Sequence, residues 1–62
     1  MAVVDVTVAG RSYQLACEDG QERHLAGLAA MVDAEVRALS RGMGAVGEAR
    51  LLLMAALMIA DR

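Results

Sequence analysis

The sequence predicts an α+β fold, two antiparallel strands followed by two helices (ββαα), with the last helix oligomerising. Three observations carry this expectation. Apolar residues alternate with polar ones from Val3 to Cys17 about a central glycine, the period of a half-buried hairpin. Leu25, Leu28, Val32, Val36 and Leu39 then recur at spacings of three and four, which is one stripe along an amphipathic helix. Lastly, Leu51 to Ala60 reads LLLMAALMIA, apolar all round, and such a helix must be enclosed on every side. It is too short to cross a membrane, which takes ~20 apolar residues. It is therefore expected to pack on its own domain on one side and on another subunit on the other.

Within the hairpin, Gly10-Arg11 is expected as a two-residue loop, because Gly-X suits a tight turn with positive φ at its first position. Ala9 then faces Ser12, Val8 faces Tyr13, Val6 faces Leu15 and Val4 faces Cys17. This register puts the Val, Tyr, Leu and Cys side chains on one face. Asp5, Thr7, Ser12, Gln14 and Ala16 fall on the other, and a slip by one residue would mix the two sets. A lone hairpin is only marginally stable, so its apolar face requires a helix.

Asp19 is the expected N-cap of the first helix, with Glu22 in the capping-box position three residues on. The helix is expected from about 20 to 41. Asp33 and Arg37 form a favourable i,i+4 pair on its solvated side. Glu35 occupies the d position implied by Leu25 and Leu28, which breaks a heptad and assigns this helix to a globular head. Gly42 to Gly47 reads as a linker, and the closing helix starts at Gly47 or Glu48. Residues 1–47 are thus expected to form the head, and 48–62 the start of a truncated oligomerisation helix.

Composition narrows the function classes. The 62 residues make one small domain, and below ~70–80 residues a lone core usually needs a staple or a partner. One cysteine rules out an internal disulfide, and one cysteine with one histidine cannot supply a structural zinc site by themselves. Oligomerisation is what remains. Net charge is −2, with six arginines, no lysine and no basic run, so the phosphate-neutralising stripe of a nucleic-acid binder is missing. The N-terminus lacks the pattern of a signal peptide, and a lone thiol suits a reducing compartment. The expected location is cytoplasmic.

Gly42-Met43-Gly44-Ala45-Val46-Gly47 matches G-x-G-x-x-G literally. Its context is a linker between helices, without the βαβ unit a dinucleotide site requires, so no cofactor is expected. Cys17 and His24 are the sole candidates for nucleophile and base. Cys17 falls on the buried face opposite Val4, an ordinary place for a small apolar side chain, and His24 lies at a solvated helix edge. No third orienting group stands out. No catalytic or metal site is expected, and the chain is read as a non-enzyme. Met54, Leu57 and Met58 could form an adaptable groove, but their aliphatic context favours a fixed helix–helix core. Arg11, at the hairpin tip, is either a solvated turn residue or a contact residue.

Three segments together resemble one family. They are Val8 to Cys17 (VAGRSYQLAC), then His24-Leu25, Leu28-Ala29 and Val32-Asp33 after an acidic helix start, then Glu48-Ala49-Arg50-Leu51 with Met54 to Asp61 (MAALMIAD). In order and spacing they resemble the bacterial cell-division family ZapA. The resemblance implies a small αβ head, a coiled-coil tail, homodimers and homotetramers, and binding to the tubulin-like protein FtsZ, whose filaments the family cross-links at the mid-cell division ring. It implies that Arg11 contacts FtsZ, and extends less directly to Glu48 and Arg50. In other branches the acid directly precedes the position of Arg50, where this chain has Ala49. The family's apolar dimer contact falls on Met54, and the expected interface is Leu52, Met54, Leu57, Met58 and Ile59. The alternative from another class is a small acidic oligomeric regulator, antitoxin-like, that masks a partner protein.

Overall fold

The computed structural model describes residues 1–43 and 47–62. Strand β1 is Ala2–Val8, β2 is Arg11–Cys17, helix α1 is Glu22–Met43 and helix α2 is Glu48–Ala60. The ββαα order is the expected one. The proposed glycine motif and linker core, Gly44 to Val46, lie outside the described residues, whereas Gly42 and Met43 belong to α1.

The strands pair antiparallel, with Val8 opposite Arg11, Val6 opposite Tyr13, Val4 opposite Leu15 and Ala2 opposite Cys17. This corrects the expected register. The loop is Ala9-Gly10, not Gly10-Arg11, and both of its residues have positive φ, 57° and 77°. Two positive φ values are the mark of the I′ turn, whose twist matches that of the strands. The partners of each residue move by two positions, and two is the side-chain period of a strand. The face assignment therefore survives: Val4, Val6 and Val8 still share a side with Tyr13, Leu15 and Cys17. Cys17 lies opposite Ala2, half-buried.

Helix α1 packs its stripe on β1 and on α2. Val8, Val36 and Ala55 form the buried centre, with Tyr13, Ala29, Val32, Leu39, Leu51 and Leu52 packed around it. Ala55 is fully enclosed, and its small side chain lets α1 and α2 approach closely. Beside this core, an open apolar groove of about 310 Å³ runs between the sheet and α1, lined by Tyr13, Leu15, Leu25, Leu28 and Leu52 among others.

Two local expectations are corrected. Asp19 does not cap α1: the first helical bond runs from the Leu25 N–H to the Gln21 carbonyl, so Gln21 holds the cap position. Gly20, at φ 88°, turns the chain between them. Asp19 instead pairs with the Met1 ammonium at 3.1 Å. Asp33 does pair with Arg37, at 2.9 Å, but its side chain is only 16% exposed rather than on a solvated face. Glu35 is likewise mostly enclosed, and pairs with Arg62 beyond the end of α2.

Candidate functional site

The Ala9-Gly10 turn makes Arg11 the first residue of β2 and puts it on the same sheet face as Tyr13, two positions on. That face is the one covered by the helices. Helix α2 begins beside it: Gly47, with φ 90° and ψ 145°, occupies the cap position without a side-chain cap, and its carbonyl accepts the Leu51 N–H at 3.1 Å. Glu48 is the first helical residue, where an acid also suits the positive end of the helix dipole.

These elements bring three side chains together. Arg11 donates from Nε to Glu48 Oε1 at 2.6 Å, and the Tyr13 hydroxyl donates to Glu48 Oε2. Both carboxylate oxygens are thus engaged within the chain. The Glu48 side chain is 34% exposed and the Arg11 side chain 71%, so the carboxylate lies inside and the guanidinium outside. The hydrogen bond to Glu48 stabilises the protonated phenol and is the main reason that the Tyr13 pKa is raised above its usual 10.0, with desolvation and the Glu48 charge adding to it and Arg11 opposing.

Of the three charged residues singled out from sequence, the structure joins Arg11 and Glu48. Arg50 is exposed, but two positions along a helix are about 200° apart, which turns it away from the Arg11 side. Arg11 is not a free turn residue. Tyr13 is the member that sequence reasoning left out of the site. Its signal was being the single aromatic residue on the apolar strand face, but the expected loop left Arg11 off that face, and nothing in the sequence placed Glu48 within reach of Tyr13.

The five residues expected at a subunit interface divide between core and surface. Leu52 packs against the core of its own chain. Met54 and Ile59 are half-buried, Met54 beside Leu39. Leu57 and Met58 are 60% and 51% exposed, as is Leu53 at 58%. Leu53, absent from the expected set, lies one turn before Leu57 on the same helix side. His24 is exposed at the edge of α1, and no helix among the described residues is long and apolar enough to cross a membrane.

The structure is a small ββαα domain with a charged cluster at a hairpin edge, beside a helix with an exposed apolar side. The particular family follows from comparison: the family model for cell division protein ZapA matches residues 4–62, and the chain belongs to that family of non-enzymatic, FtsZ-associated cell-division proteins. Its fold is similar to that of a solved structure, "Unknown conserved bacterial protein from Pseudomonas aeruginosa PAO1", with a TM-score of 0.89 and 24% identity over 98% of this chain and 67% of that one. No curated protein matches the chain.

Proposed function

We propose that this chain binds FtsZ through the surface around Arg11 and, by self-association through α2, cross-links FtsZ filaments at the cytoplasmic division ring. Membership of the ZapA family supports the partner. The observation that carries the contact is Arg11 itself, whose side chain is 71% exposed yet tied to Glu48. An arginine fork suits the carboxylates of an acidic surface. Residues 48–62 act as the start of the oligomerisation helix, and Leu53, Leu57 and Met58 supply its exposed apolar side. Fully burying such a side chain contributes ~1.5–3 kcal/mol, enough in combination to support association. Joining heads then converts a weak single contact into avid binding of neighbouring filaments.

Co-sedimentation with polymerised FtsZ tests this. The chain should pellet with the filaments, added salt should weaken the contact by screening, and Arg11→Glu should abolish it while leaving the circular dichroism spectrum unchanged. Equal pelleting of the parent chain and Arg11→Glu would refute the assignment.

A further inference from the structure

We propose that Glu48 and Tyr13 are positioning residues: they hold the Arg11 guanidinium in its binding orientation and do not themselves meet the partner. The inference rests on the FtsZ reading above and assigns the division of labour within that surface. Glu48 has no carboxylate oxygen left without a partner in its own chain, since Oε1 receives Arg11 Nε–H and Oε2 receives the Tyr13 hydroxyl. A carboxylate held at one oxygen can swing about its stem. Held at both, it has a fixed plane, and it fixes the arginine bonded to it.

Arg11 is gripped through Nε, and a guanidinium has four further N–H donors on its two terminal nitrogens. With the side chain 71% exposed, these remain open to a carboxylate on another protein. The long arginine side chain is thereby ordered before it binds, which removes part of the entropy cost of association. The arrangement also joins the two halves of the molecule. Arg11 and Tyr13 belong to the hairpin and Glu48 to the first turn of α2, so the contact is complete only when α2 is seated on the head.

Glu48→Gln separates this from simple electrostatics by sign. Removing a negative charge should strengthen attraction to the partner carboxylate proposed for Arg11, whereas loss of positioning should weaken binding. The expected results are a loss of about three- to tenfold in FtsZ co-sedimentation for Glu48→Gln and for Tyr13→Phe, the scale of one orienting hydrogen bond. Neither substitution should cause further loss in an Arg11→Ala background. In the protein alone, the Arg11 Nε–H resonance should lose its protection from solvent exchange in both variants while the backbone amide spectrum is retained. Tighter binding by Glu48→Gln, or a further loss added to that of Arg11→Ala, would overturn the inference, the second result by giving Glu48 a contact of its own. If Arg11→Ala binds as the parent does, the FtsZ contact is elsewhere, and the reading fails together with this inference.

Discussion

Asp33 Oδ1, on helix α1, accepts the backbone N–H of Ala9, in the hairpin turn, at 3.0 Å. Ala9 has φ 57°, a left-handed conformation that L-residues other than Asn and Asp adopt rarely. The helix thus satisfies a backbone donor in the strained half of the turn. It does so from a side chain only 16% exposed, whose other oxygen pairs with Arg37. Since the turn places Arg11 at the head of β2, Asp33 indirectly fixes the position of Arg11.

Replacing Asp33 with alanine should destabilise the fold by about 1.5–3 kcal/mol, the range for a hydrogen bond to a charged group. Asp33→Asn retains an acceptor for Ala9 and should cost less. Arg37→Ala should cost only about 0.3–0.5 kcal/mol, because the arginine is an exposed i,i+4 partner. Urea denaturation of the three variants gives the ranking. A larger loss in Arg37→Ala than in Asp33→Ala would show that the ion pair, not the turn contact, dominates.

The turn itself should be improvable. Ala9→Asn creates Asn-Gly, the preferred I′ sequence, and relieves an alanine held at positive φ. A gain of about 0.5–1 kcal/mol is expected, part of the ~1–2 kcal/mol that the left-handed region costs an ordinary residue. Gly10→Ala should lose a comparable amount, because Gly10 sits at φ 77° with nothing within 4 Å of an added Cβ. The penalty there is conformational and not steric crowding. Thermal unfolding of both variants measures the two shifts, and a neutral Gly10→Ala would contradict the turn assignment.

Tyr13 is the single tyrosine, so its ionisation can be followed directly by tyrosinate absorbance. Its midpoint should lie above 10.0, since the Glu48 hydrogen bond favours the protonated phenol. Glu48→Gln should lower it toward that value. The unfolded chain releases the phenolic proton first, so it binds fewer protons than the folded chain between the two pKa values. The stabilisation linked to this raised pKa is therefore fully present below pH 10.0 and is lost as pH rises through the folded value. A parent titration at the ordinary tyrosine midpoint would show that the hydroxyl is not bound to Glu48 in solution.

Leu57→Glu should convert associated chains to monomers in sedimentation velocity. Leu57 is 60% exposed within its own chain, so the substitution should change intrachain stability by only ~0.5 kcal/mol. The cost appears when a charge must be buried against another subunit. Met54→Glu should also dissociate the assembly, but Met54 is half-buried beside Leu39, and this variant should lower the melting temperature of the head as well. Unchanged association by Leu57→Glu would place the interface on another face.

The alternation in VVDVTV and SYQLAC determined by itself that a hairpin forms and which face is apolar, because strand side chains repeat every two residues whatever the exact register. The spacing from Leu25 to Leu39 likewise determined α1 and its core stripe, with Val36 at its buried centre. Family membership was also legible, being spread over many short matches. Tertiary structure decided the rest. Local chemistry favoured Gly10-Arg11 as the loop, but the structure uses Ala9-Gly10, with Ala9 at positive φ and its N–H received by Asp33, 24 residues away. The Arg11–Glu48–Tyr13 cluster spans up to 37 positions, and no local period relates its members. Such a site exists only after the hydrophobic contact of α1 with both β1 and α2 has folded the chain's two ends together. Sequence patterning fixes faces because burial is periodic, whereas polar contacts between distant elements depend on how those faces are docked.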